Sequence, residues 1–210
     1  MKDSCDFRLY LVTDRALSLG RPLEWVVKAA LRGGVTAVQL REKACSVDEF
    51  VELARRMMDI LQPFGAPLII NDRVDVALEV GAAGVHLGQG DMDPGEARNR
   101  LGRDAVVGLS VEADEQADTA EKLDIDYLGV SPIFPTPTKT DLKTAWGLEG
   151  LRRLRPRSRH RLIAIGGINS GNAADVIRAG ADGIAVVSAI CSAQDPEAAA
   201  RELRAIVDRS

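Results

Sequence analysis

In the stretch QLREK, the side chains of Gln39, Arg41 and Lys43 alternate along the chain. On an extended strand they project to one face, and Leu40 and Glu42 take the other. Two cations ~6 Å apart in an effective dielectric of ~20 repel by about 3 kcal/mol, and a bound phosphate or diphosphate reverses that sign. The competing reading is a solvated edge neutralised by Glu42. Further on, NDR places Asn71 and Asp72 at the end of one apolar run, and HLGQGD places Asp91 just past the next. Neighbouring strands lie about 4.8 Å apart, so these two carboxylates can share one hard cation. Magnesium suits such a pair, because it takes one or two carboxylates together with water and phosphate oxygens. Helix N-capping is the alternative for either aspartate, although Asp93, directly before Pro94, is the better capping residue.

A second group of candidates lies toward the C-terminus. SPIFPTPTKTDLKTAWG, Ser131 to Gly147, is a long segment with three prolines. Loops beyond about 12 residues are uncommon in compact domains and are usually functional or disordered. Ser131, Phe134 and Thr136 each precede a proline, which stiffens the segment. Extended, it turns Thr136 and Thr138 to one side and Lys139 to the other, so it can touch two ligands, whereas Lys143 reads as a solvated charge. AIGGI and VVSAI offer Gly167, Val187 and Ser188, where close backbone approach and free N–H groups suit a phosphate. Ser110, closing GLS, reads as a rim hydroxyl or an ordinary turn residue. His86, within GVHLG, reads as a packed, hydrogen-bonded residue rather than a base. Cys5, Cys45 and Cys191 form no CxxC pair, which argues against a disulfide framework or a thiolate zinc site. Cys45 reads as a small filler before a reactive thiol.

The elements that must position these residues are short apolar runs alternating with helical patterns. The runs are RLYLVT, TAVQL, APLII, GVHLG, AVVGLS, DYLGV, RLIAI and GIAVV. Their brevity and Val/Ile/Leu content suit buried parallel strands. Between them lie amphipathic stretches such as PLEWVVKAALRGG and SVDEFVELARRMMDIL, several of them opened by proline (Pro22, Pro94, Pro196). LRGGVTAVQL, LEVGAAGVHL and IRAGADGIAV repeat one junction of helix end, glycine and strand, as a left-handed C-cap requires. Eight such units predict one (β/α)8 barrel domain over residues 1–210, ahead of an open doubly wound sheet. In that barrel, catalytic groups come from the strand C-terminal ends, where the polar residues above cluster.

Composition excludes other classes. The 210 residues carry a formal charge of −4 and 4 % aromatics, which gives neither the basic footprint nor the stacking platforms of a nucleic-acid binder. No apolar run approaches the ~18 residues of a membrane helix. The start, MKDSCDFRLYLVTDR, lacks a signal peptide's apolar segment, so a cytoplasmic location is expected. The expected partners are small phosphorylated molecules, with homo-oligomerisation left open.

Taken together and in order, YLVTD, QLREK, NDR, HLGQGD, GLS, PIFPTPTK, AIGGI and VVSAI resemble the thiamine phosphate synthase family over almost the whole chain. The resemblance implies a (β/α)8 transferase that joins hydroxymethylpyrimidine diphosphate to thiazole phosphate and releases diphosphate with the help of magnesium. It further implies that Gln39, Leu40, Arg41, Glu42, Lys43, Asn71, Ser110 and Lys139 bind the pyrimidine diphosphate. Thr136, Pro137, Thr138, Gly167, Val187 and Ser188 would bind the thiazole phosphate, and Asp72 and Asp91 one Mg2+. Arg41, Lys43 and Lys139 would stabilise the leaving diphosphate in a dissociative displacement that needs no protein nucleophile. A thiazole tautomerase on the same fold and a non-catalytic precursor sensor are the alternatives. A sugar-phosphate isomerase fits less well, since no paired acid and base is evident.

Overall fold

The computed structural model describes residues 5–135 and 145–210. Eight parallel strands run β1 (Leu9–Val12), β2 (Ala37–Leu40), β3 (Leu68–Asn71), β4 (Gly84–Leu87), β5 (Val106–Val111), β6 (Tyr127–Val130), β7 (Arg161–Ile165) and β8 (Gly183–Val186). They neighbour one another in chain order, and β1 pairs with β8, with Tyr10 opposite Ala185. That pairing closes the barrel and rules out the open sheet.

The helices are α1 (Leu23–Arg32), α2 (Val47–Leu61), α3 (Val74–Val80), α4 (Pro94–Leu101), α5 (Asp114–Ala120), α6 (Gly147–Leu154), α7 (Ala173–Arg178), α8 (Ser188–Cys191) and α9 (Pro196–Val207). Their starts follow local chemistry. Ser46 and Glu49 exchange side-chain and backbone bonds in a capping box at α2. Asp93 and Asp195 each accept two backbone N–H bonds ahead of a proline. The capping expectation for Asp93 thus holds, and Pro22 stands one position earlier than expected, at the N-cap of α1. Among the junction glycines, Gly34, Gly81 and Gly180 carry the positive φ.

The strand period of two divides the core into an outer and an inner set. Leu9, Leu11, Val38, Leu40, Ile70 and Val85 face outward and pack with Phe50, Leu53 and Met57 of α2 in the layer between strands and helices. Tyr10, Ala37, Ile69, Val106, Tyr127, Ile163 and Ala185 face inward and, with Phe7, fill the barrel's interior. Among the described residues no helix is long and apolar enough to cross a membrane.

Candidate active site

One cavity of about 460 Å³ opens above the inner core, lined by residues at the C-terminal ends of all eight strands. It brings together Gln39, Arg41, Lys43, Asn71, Asp72, Asp91, Ser110, Gly167, Val187 and Ser188. Residues separated by up to 149 positions in the sequence thus share one mouth.

Gln39 is the last inward residue of β2, and Arg41 and Lys43 continue its alternation past the strand end. Arg41 is fixed from two sides. Its backbone N–H donates to Thr13 Oγ1 (3.0 Å), and its guanidinium donates to Asp14 Oδ2 (3.2 Å). The Leu40 side chain is fully buried in the layer outside the barrel. Glu42 turns its carboxylate to Arg15 (3.0 Å). The stretch expected to bind a diphosphate as a block therefore splits: Gln39, Arg41 and Lys43 present side chains to the cavity, while the side chains of Leu40 and Glu42 point elsewhere. The reading in which Glu42 neutralises Arg41 fails for the same reason, since Asp14 is the partner.

Asp72 and Asp91 meet across the ends of β3 and β4. Asp72 sits at φ 64°, in the left-handed region that non-glycine residues seldom occupy. Its N–H donates to the His86 carbonyl (2.9 Å), which anchors the strained residue to β4. Asp91 accepts the Gly88 N–H through Oδ2 (2.7 Å) and so closes its own turn. Neither aspartate caps a helix. Burial, and then the hydrogen-bonding and charge of Asp91, push the Asp72 carboxyl up to about 6, with Lys43 and Arg41 opposing. Two carboxylates held this close favour a shared proton or a shared cation. Among the described residues no cluster of three or more His, Cys, Asp or Glu is disposed to hold a metal unaided. Two carboxylates are the donor set of an ion that takes the rest of its shell from water and ligand oxygens, as magnesium does.

On the far wall, Gly166 and Gly167 both take positive φ, 103° and 67°. A Cβ on Gly166 would fall 2.7 Å from Pro132 Cβ, and one on Gly167 would fall 2.8 Å from Phe134 Cβ. Ile133 and Phe134 donate their N–H groups to the carbonyls of Ile165 and Gly166 (2.9 and 3.0 Å). The glycines thus let the start of the proline-rich segment lie against the end of β7. Thr136, Pro137, Thr138 and Lys139 lie outside the described residues, as does Lys143.

Sequence reasoning left Tyr10, Asp14, Gln89, Glu112 and Tyr127 unassigned, yet all five line the cavity. His86 is packed and hydrogen-bonded as expected, between Tyr127 Oη and Ser110 Oγ (2.8 Å each). The signals available were the alternation of positions 10, 12 and 14 in YLVTD and the strand glycines of VVGLS and YLGV, which mark close approach. The three cysteines are free. Cys45 packs as a filler, and burial, followed by Glu42 and Glu49, raises its thiol.

A parallel barrel with a charged cavity at its C-terminal rim defines a (β/α)8 enzyme. The sequence profile of the TMP-TENI family, thiamine monophosphate synthase, matches residues 9–190. A thiamine-phosphate synthase of Albidiferax ferrireducens is 56 % identical over 201 residues, covering 96 % of this chain and 92 % of that protein. Another, of Syntrophomonas wolfei, is 50 % identical over 205 residues and covers 98 % of each. The solved structure of thiamine phosphate pyrophosphorylase from Pyrococcus furiosus superposes with a TM-score of 0.90 at 40 % identity, covering 98 % of this chain and 97 % of that one. The chain belongs to the thiamine monophosphate synthase family, and with it to the transferases that make thiamine phosphate.

Proposed function

We propose that this chain joins hydroxymethylpyrimidine diphosphate to thiazole phosphate in the cavity described above, giving thiamine phosphate and diphosphate. The observation that carries the reading is the meeting of Arg41 and Lys43 with Asp72 and Asp91 at one rim. Cations alone would suit any anion. Cations beside a carboxylate pair suit a diphosphate that arrives with a divalent ion.

Gln39, Asn71 and Ser110 would hold the pyrimidine, with the backbone of Leu40 and Glu42 beside it. Arg41 and Lys43, joined by Lys139 from the proline-rich segment, would bind the diphosphate and stabilise it as it leaves. Asp14 keeps the Arg41 fork aimed at that group. Asp72 and Asp91 would hold one Mg2+, which when bound neutralises charge developing on the leaving diphosphate. Gly167, Val187 and Ser188 would supply backbone donors and a hydroxyl for the phosphate of the thiazole partner, together with Thr136, Pro137 and Thr138. The thiazole nitrogen then takes the methylene carbon as the diphosphate departs. Catalysis on this reading rests on positioning and charge stabilisation, and no side chain forms a covalent bond. The names of the relatives support synthesis over tautomerisation or sensing. A small-molecule enzyme of this kind fits a cytoplasmic place.

The experiment is a direct assay. Purified protein is mixed with both precursors and magnesium, thiamine phosphate is followed by mass spectrometry, and released diphosphate is measured in parallel. Both products should appear together and fall when a chelator is added. No thiamine phosphate in the presence of magnesium overturns the synthase reading, and undiminished turnover in chelator overturns the metal assignment.

A further inference from the structure

Below the charged rim, Tyr10, Tyr127 and His86, which the proposed reaction leaves unused, join two residues that it does use. Gln39 Nε2 donates to Tyr10 Oη (3.1 Å), and Tyr10 Oη meets Tyr127 Oη (3.1 Å). Tyr127 Oη meets His86 Nδ1, and His86 Nε2 meets Ser110 Oγ (2.8 Å each). The series runs unbroken from β2 to β5 and links two residues of the cavity wall. Space for its rings is built in. A Cβ on Gly108 would fall 2.1 Å from the Tyr127 ring, and one on Gly129 would fall 2.9 Å from His86 Cε1. Burial raises both phenols, so each tyrosine keeps its proton and has one hydrogen to give.

With Gln39 as the donor to Tyr10, a series in which each hydroxyl passes its one hydrogen onward has one direction. Tyr10 accepts from Gln39 and, in that series, gives its own hydrogen to Tyr127. Tyr127 then gives its hydrogen to His86 Nδ1. A neutral imidazole that accepts at Nδ1 carries its proton on Nε2, which donates to Ser110. Ser110 is left with a hydroxyl hydrogen to give into the cavity, and Gln39 keeps Oε1 as its acceptor. Reversing every bond makes Ser110 an acceptor and turns the free amide nitrogen of Gln39 outward. The polarity of one end thus dictates that of the other.

We infer that Tyr10, Tyr127 and His86 form a polarity relay that makes Gln39 an acceptor and Ser110 a donor, and so selects an aminopyrimidine over its oxo counterpart. An aminopyrimidine offers an amino hydrogen to Gln39 and a ring nitrogen to Ser110. In the oxo ring the amino group is a carbonyl and one ring nitrogen carries hydrogen, which demands the reversed series. A site built to pair a given donor and acceptor rejects a ligand that leaves them unpaired. The three residues are positioning residues, since none needs to touch the reacting atoms. The inference rests on the synthase reading, which supplies the pyrimidine.

Calorimetric titration of the amino and oxo pyrimidine diphosphates, without the thiazole partner, tests it. The wild type should prefer the amino compound, and Tyr10→Phe and Tyr127→Phe should each narrow that preference by about tenfold or more, the scale of one misdirected hydrogen bond. A merely structural role would weaken both ligands alike. A preference unchanged within about twofold in both variants, shown folded by circular dichroism, overturns the relay. The wild type provides an independent readout, because the chain has two histidines and His160 sets its Nε2 against the Ala120 carbonyl. Long-range nitrogen–proton correlation should therefore show only Nε2–H imidazoles with the amino ligand bound, and a neutral Nδ1–H form overturns the relay. Failure of the wild type to make thiamine phosphate from both precursors is a separate result that sinks the synthase reading instead.

Discussion

The two ends of the barrel treat charge in opposite ways. At the end where the strands begin, Arg98 of α4 is buried, and every part of its guanidinium has a partner. It donates to Asp126 (2.7 Å) and to the carbonyls of Ala105 (2.6 Å), Gly102 (3.1 Å) and Asp124 (3.2 Å). Asp126 in turn accepts the Val107 N–H (2.8 Å), so one ion pair ties α4 to the starts of β5 and β6. At the end where the strands finish, Asp72 and Asp91 are held together against their mutual repulsion, one of them in a strained backbone conformation. The first arrangement minimises local free energy. The second carries a local cost that a ligand or ion can relieve, which is the usual signature of a working end.

The largest effect should come from breaking the satisfied end. Arg98→Ala strands Asp126 and three carbonyls, and denaturant unfolding should show a loss of about 3–5 kcal/mol. Arg55→Ala removes the same charge from an exposed pair with Glu52 and Glu79 and should cost under about 0.5 kcal/mol. Near-equal losses would erase the contrast. At the working end, Asp91→Asn keeps an acceptor for the Gly88 N–H but removes the negative charge. Turnover should fall at least ~10²-fold with little change in melting temperature, and near-normal turnover would remove Asp91 from its role.

A smaller effect at the working end has the opposite sign. The folded state raises the Asp72 carboxyl from 3.8 to about 6. In protein stripped of divalent ions, this group therefore costs stability as the pH climbs from about 4 through 6. Asp72→Asn should raise the melting temperature of that form by about 2–4 °C at pH 7.5, corresponding to about 1 kcal/mol after allowing for partial exposure. The gain should vanish near pH 4. A destabilised Asn variant would show that the aspartate pair is not under strain.

The strands were legible because a parallel sheet needs short, largely apolar runs, as in GIAVV or RLIAI. The rim residues were legible where a charge interrupted such a run, as at Arg41, Lys43 and Asp72. Tyr10 and Tyr127 were not, because each resembles any core aromatic until barrel closure sets them edge to face across 117 positions. Asp14 was missed for a related reason, since its partner Arg41 lies on the neighbouring strand. Arg98 was hidden in PGEARNRL, where the pattern of a solvated helix conceals an inward guanidinium. Leu40 and Glu42 show that a contiguous motif is not a contiguous surface, because a strand sends alternate residues to opposite sides.

Phe7 packs against the two tyrosines, with ring centroids 5.2 Å from Tyr10 and 5.0 Å from Tyr127. This aromatic stopper closes the inner end of the cavity, a blind well rather than a tunnel, so whatever enters from the rim must leave by the same rim.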